Sequence, residues 1–63
     1  SDKEKIRFIE IAYGSLMEVV NCLILAFDLE YISEEKLLQL RLNIDLVANK
    51  LNGLKRSLDK NKP

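Results

Sequence analysis

Histidine is absent from this 63-residue chain, and cysteine occurs once, as Cys22. Without histidine the chain lacks the commonest general base and the commonest metal ligand of proteins. A single cysteine can form neither an internal disulfide nor a cysteine-based metal site, and it fits a reducing compartment. We therefore predict no catalytic residue, no metal site and no cofactor, and we expect a cytoplasmic protein.

An excess of either charge is also missing, because ten basic residues balance ten acidic ones. A neutral chain has no overall field that would attract nucleic acid or an anionic membrane. The most apolar run, residues 19–29, is interrupted by Asn21 and Asp28. It is shorter than the roughly 20 apolar residues that a membrane-spanning helix needs. We predict no membrane partner.

Proline is absent until Pro63, so no proline breaks a helix, and apolar residues recur at alternating steps of three and four. Such spacing places side chains on one face of a helix. It predicts an all-α fold with helices over about residues 2–29 and 34–59. The first run is Ile6, Ile9, Tyr13, Leu16, Val20, Leu23 and Phe27, and the second is Leu37, Leu40, Ile44, Val47, Leu51, Leu54 and Leu58.

Capping residues stand at both predicted helix starts. Ser1 and Glu4 have the spacing of a capping box, and Ser33 precedes the acidic pair Glu34 and Glu35. The link at residues 30–32 is too short for anything but an antiparallel hairpin. We expect Tyr31 to anchor this turn.

The predicted helices carry more apolar residues than one hairpin can bury. Each helix of a hairpin hides a single seam, and extended exposed apolar patches usually mark an interface. The chain therefore has the pattern of half a bundle, completed by another copy or by more polypeptide. The excess residues are Phe8, Ala12, Met17, Val19, Cys22, Ile24, Leu25, Ala26 and Leu29 in the first helix, and Leu38, Leu42, Leu46 and Ala48 in the second.

Two glycines interrupt the helical pattern, Gly14 and Gly53, and each costs about 1 kcal/mol relative to alanine. Both fall near one level of the hairpin, so we predict a close helix crossing there. The Ser15 hydroxyl is expected to donate to a carbonyl of the preceding turn. Glu18 is expected at an interface, and Cys22 is expected to be a buried, inert thiol.

Several short motifs resemble the 23S rRNA intervening-sequence protein family. The family's third helix is similar to aromatic-x-x-x-A-x-GS-L-x-E, and its last helix ends in a pattern like LxxLIxSL. Glu30 replaces a frequent glycine before the turn, which predicts that the first helix ends without a left-handed residue. The matching positions are Ala12, Gly14, Ser15, Leu16 and Glu18, then Tyr31 and Ile32, then Leu51, Leu54, Ser57 and Leu58.

The resemblance implies an up-and-down four-helix bundle, of which this chain supplies the C-terminal hairpin, without the family's first two helices. It also implies a bacterial protein that forms homopentamers. Relatives that accompany retroelements are strongly basic and bind nucleic acid, whereas this chain is neutral.

The sequence thus predicts a non-enzymatic, self-associating module with a structural or scaffold-like role. The alternative is a nucleic-acid-binding accessory protein whose contacts are Lys55, Arg56, Lys60 and Lys62. The predicted packing and interface residues are Tyr13, Gly14, Ser15, Leu16, Glu18, Val20, Leu23, Phe27, Leu40, Ile44, Val47, Leu51, Gly53, Leu54 and Leu58.

Overall fold

Two antiparallel helices make up the described part of the chain, residues 1–60, in a computed structural model. Helix α1 spans Asp2–Asp28 and helix α2 spans Glu34–Lys60. The two pack against each other along an elongated body of 50 × 15 × 10 Å. The predicted all-α hairpin is confirmed. The predicted ends at residues 29 and 59 differ from the observed ends by one residue each.

Serine side chains cap both helix starts. The Ser1 Oγ accepts from the Glu4 backbone N–H at 3.3 Å, and the Ser33 Oγ accepts from the Lys36 N–H at 3.1 Å. Each bond satisfies a donor that has no partner within the first helical turn. Both predicted caps are confirmed.

A left-handed residue, Glu30, ends α1, with φ of 63°. Its N–H donates to the Phe27 carbonyl at 2.9 Å, and the next N–H, of Tyr31, donates to the Ala26 carbonyl at 2.8 Å. These two bonds form a Schellman motif and satisfy carbonyls at the helix end. The prediction that α1 ends without a left-handed residue was therefore wrong. The backbone of Tyr31, rather than its exposed side chain, holds the turn, which corrects the expectation of a tyrosine anchor.

The seam of α1 follows the predicted line over its whole length, and all seven residues of the first run are buried or half-buried. The seam of α2 departs from its line. Val47 and Leu54 are 46% and 52% exposed, whereas Ala48 is 6% exposed and Lys55 is half-buried. An α-helix has 3.6 residues per turn and drifts about 20° per heptad, so the inward position moves on by one residue. The prediction was wrong for Val47 and Leu54.

Both glycines lie off the seam. Gly14 and Gly53 are exposed, and a methyl group added to either would meet no atom within 4 Å. The predicted close crossing at these glycines is wrong, because Tyr13 and Leu51 hold the inward positions at these levels. Cys22 is likewise exposed and not buried, since the neighbouring Leu23 occupies the seam.

Ser15 and Glu18 are both exposed on the outer surface of α1. The Ser15 hydroxyl donates to the Ile11 carbonyl at 3.1 Å, which confirms the predicted bond to the preceding turn. An interface role for Glu18 stays a prediction.

Replacing Glu30 with glycine should stabilise the hairpin. A side chain in the left-handed region costs about 1–2 kcal/mol, and the greater freedom of glycine in the unfolded chain offsets part of the gain. We expect Glu30→Gly to raise the free energy of unfolding by about 0.5–1 kcal/mol. Urea unfolding followed by far-UV circular dichroism at one protein concentration measures this. Glu30→Ala removes the carboxylate but keeps the Cβ, so an equal gain in that control would contradict the explanation.

Candidate interaction surface

Exposed apolar side chains outnumber buried ones in the described hairpin. The buried apolar residues of residues 1–60 are Ile6, Ile9, Val20 and Ala48. A pair of helices can hide only the stripe that each turns toward the other. The large apolar side chains that remain exposed are Phe8, Ile11, Val19, Ile24, Leu25, Leu29, Tyr31, Leu38, Leu42, Leu46, Val47 and Leu54.

One broad side of the hairpin carries apolar residues from both helices. Phe8 of α1 and Leu54 of α2 line the same depression of about 340 Å³, so they lie on the same side of the molecule. Val47 precedes Leu54 by seven residues and shares its side of α2, where Asn43 and Lys50 separate the apolar positions. On α1, steps of four and seven from Phe8 continue the surface through apolar residues and the small residues Ser15 and Cys22. We call this the apolar face: Phe8, Ala12, Val19, Ala26, Val47 and Leu54.

The opposite side of the hairpin is more polar. Glu10 lies two residues after Phe8, about 200° away around the helix. Glu10 and Asn52 line a second depression of about 430 Å³ between the helices. Steps of three, four and seven from Glu10 define the rest of this side of α1, on which Met17 and Ile24 are the apolar members. We call the other residues the polar face: Arg7, Glu10, Gly14, Asn21, Asp28 and Asn52.

An ion pair crosses the seam at its open end. The Lys55 Nζ lies 3.3 Å from the Glu10 Oε2, with side-chain exposures of 36% and 57%. Lys55 occupies a seam position, so its aliphatic stem packs between the helices while its ammonium group reaches the polar face. An exposed pair of this kind contributes about 0–1 kcal/mol. Its role is to hold the start of α1 beside the end of α2.

The basic residues predicted as nucleic-acid contacts do not form one patch in the described structure. Lys55 is half-buried and paired with Glu10. Arg56 and Lys60 are exposed and line a shallow depression. Lys62 lies outside the described residues. Nucleic-acid contact through this cluster stays a prediction.

A further apolar strip runs along the edge of α2 that points away from α1. Leu38, Leu42 and Leu46 are 57%, 65% and 61% exposed and recur at steps of four. Leu46 lies two residues after the seam residue Ile44 and two before Ala48, about 200° from each around the helix. We call these three residues the outer leucine stripe.

Acidic and sulfur ligands are dispersed in this structure. Within residues 1–60, no three side chains of the cysteine, histidine, aspartate or glutamate types gather at one point. The three depressions described above are lined by side chains of the seam and of the helix surfaces.

Helix α1 is long enough and apolar enough to cross a bilayer by length and composition. Residues 19–29 alone are too short to cross a bilayer, but the whole of α1, with 27 residues, is long enough. Core helices of soluble proteins satisfy the same criterion. Here α1 directs its most regular apolar line at α2 and carries the charges of Arg7, Glu10 and Asp28 on the polar face.

Comparison with known protein families gave a match over most of the chain. The family model described as 23S rRNA-intervening sequence protein matches residues 1–53. The chain belongs to this family. Comparison with curated proteins and with solved structures gave no match. The 23S rRNA-intervening sequence match includes α1, the turn and most of α2, whereas the predicted C-terminal motif at Leu54, Ser57 and Leu58 lies beyond it.

Sequence reasoning missed Glu10 as a partner of Lys55 in this intervening-sequence family member. The available signal was the turn, because residues at similar distances before and after it lie at one level of a hairpin. Glu10 and Lys55 satisfy that condition about residues 31–33. Tracing Ile44 to Ala48 by a step of four, instead of three, would also have identified the seam position of Lys55.

Gly14 on the polar face should tolerate a methyl group. We expect Gly14→Ala to raise the free energy of unfolding by about 1 kcal/mol, because alanine favours the helix and the added Cβ has open space. Urea unfolding monitored by circular dichroism measures the change, with Gly53→Ala as the parallel variant on α2. A loss of stability in Gly14→Ala would instead indicate that another chain packs against this position.

Proposed function

We propose that the chain is a non-enzymatic, self-associating module with a structural role, in which the hairpin supplies two helices of an up-and-down four-helix bundle. The observation that carries the proposal is the difference between the two sides of the hairpin. Its apolar face takes residues from both helices and is most continuous on α1, whereas the opposite side carries most of the charged and amide residues of α1. Large exposed apolar patches on small proteins are typical of packing surfaces.

The apolar lines of α1 support a bundle in particular. Each helix of a four-helix bundle packs against two neighbours and needs two adjacent apolar lines. On α1 the first line faces α2, and the second contains Phe8, Ala12, Val19 and Ala26. Each second-line residue lies one position before or three positions after a seam residue, so the two lines are adjacent on the helix surface.

The dimensions of the hairpin make a second copy a suitable occupant of the apolar face. Both helices contain 27 residues, so each is about 40 Å long at 1.5 Å per residue. A second hairpin would cover the face from end to end. The chain is also neutral, so two copies carry no net charge that would oppose association. A pair of helices from a longer chain would meet the same requirement, and a homopentamer would join several such units.

Adding a negative charge to the apolar face should weaken association through that face. Val19 is on the apolar face and Asn21 is on the polar face, and both side chains are exposed in the single hairpin. We expect the unsubstituted 7.3 kDa chain to elute as a dimer or a larger species. Val19→Glu should lower this mass, since a carboxylate would have to be buried at the interface. Light scattering after size exclusion, at two concentrations, measures both.

The matched control is Asn21→Glu, which adds the same charge to the same helix and should leave the mass unchanged. A folded, monomeric unsubstituted chain would contradict self-association and would assign the apolar face to helices of another polypeptide segment. Equal effects of the two variants would mean that charge alone, rather than the apolar face, controls the assembly.

A further inference from the structure

We propose that the outer leucine stripe is a second self-association surface, on which α2 of one copy packs antiparallel to α2 of another copy about a two-fold axis at Leu42. This contact is separate from the apolar face and does not rest on the bundle. In the proposed bundle, α2 would use its seam and the line of Val47 and Leu54. Leu46 lies about 100° from Val47 around the helix, so the stripe would stay uncovered.

The stripe is self-complementary when two copies meet at Leu42. In that arrangement Leu42 faces its own counterpart, and Leu38 faces Leu46 of the second copy. The three leucines are each more than half exposed in the single hairpin, so the contact would remove all of them from water. A surface that pairs with itself in this way gives a closed, two-fold symmetric contact. The leucines alone would also allow a parallel arrangement.

Charged residues on one flank of the stripe favour the antiparallel direction. Arg41 and Asp45 lie three residues after Leu38 and Leu42, so they occupy the same flank. With the axis at Leu42, Arg41 of one copy lies about 3 Å, along the helix axis, from the levels of both Asp45 and Arg41 in the other. Symmetry forms the Arg41–Asp45 pair twice and the Arg41–Arg41 contact once, so attraction outweighs repulsion on this flank. Within residues 1–60, neither Arg41 nor Asp45 has an ion-pair partner, so both are available.

The two ends of the stripe add a second complementary pair. Glu35 lies seven residues before Leu42 and Lys50 lies four residues after Leu46, so both continue the line of the stripe, and both side chains are exposed. About the same axis, Lys50 falls within about 2 Å, along the helix axis, of the level of Glu35 in the second copy. A parallel pair would instead set Arg41 and Asp45 beside the flank that carries the neutral residues Gln39 and Asn43. Exposed ion pairs contribute little affinity and mainly set direction.

Cysteine cross-linking tests the direction and the register together. In the 63-residue chain with Cys22→Ser, single cysteines are introduced by Leu38→Cys, Leu42→Cys and Leu46→Cys, and by Asn52→Cys as an exposed control off the stripe. Oxidised glutathione accepts the electrons as two thiols join. We expect Leu42→Cys to form dimers at least tenfold faster than the other three variants. Residue 38 lies about 12 Å along the axis from its own counterpart and should not cross-link with it.

A mixture of Leu38→Cys and Leu46→Cys chains should form the mixed disulfide, because those positions face each other. Equal rates for Leu38→Cys, Leu42→Cys and Leu46→Cys would overturn the antiparallel contact in favour of a parallel one. Rates no higher than that of Asn52→Cys would overturn any pairing through the stripe. Repeating the Leu42→Cys reaction with Val19→Glu separates the two surfaces, since loss of the bundle contact should leave this cross-link in place.

Charge reversal provides a second test that leaves the leucines intact. Arg41→Asp and Asp45→Arg each place like charges opposite each other in a homodimer, so the Leu42→Cys cross-link should slow at least threefold in either variant. A mixture of the two variants restores both opposite-charge pairs and should cross-link preferentially as heterodimers. A statistical mixture of homodimers and heterodimers would contradict the role assigned to Arg41 and Asp45.

Discussion

The single seam between α1 and α2 is the constraint on which the rest of the molecule depends. Two helices can turn only one stripe each toward the other, and here that contact buries Ile6, Ile9, Val20 and Ala48. A chain of this size buries only about 60% of the surface that it exposes when unfolded. The remaining apolar side chains must therefore lie outside, and their arrangement on particular faces determines what the hairpin can contact.

Local sequence signals predicted the fold well because they act over a few residues. Serine caps and the apolar spacing predicted both helix starts, and the predicted helix ends differ from the observed ends by one residue each. The seam of α2 was less predictable, since it depends on how the real helical period accumulates along 27 residues. That drift brings Ala48 and Lys55 inward in place of Val47 and Leu54. Glu30 adopts the conformation usually given to glycine because the backbone bonds of the turn require it there.

The candidate surfaces were predictable in outline but not in position. The excess of apolar residues is evident from composition and spacing, whereas the side of the hairpin that each residue occupies requires both helices in place. Gly14 illustrates the difference, since its helical context predicts a packing role but its position on the polar face leaves it open to water. Lys55 is a second example. The sequence makes it a candidate phosphate contact, whereas the structure pairs it with Glu10. Membership of the 23S rRNA-intervening sequence family rests on residues 1–53, which include Gly14 but not Lys55.

The two ends of the hairpin are closed by different means. At one end the backbone itself connects the helices through the turn at Glu30 and Tyr31. At the other end no covalent link exists within the described residues, and two of the most buried side chains, Ile6 and Ile9, lie there beside the Glu10–Lys55 pair. The helices should therefore separate first at the free end and last at the turn. Amide hydrogen exchange in α1 should then be fastest at its N-terminus and slow down from Ile6 and Ile9 toward the turn.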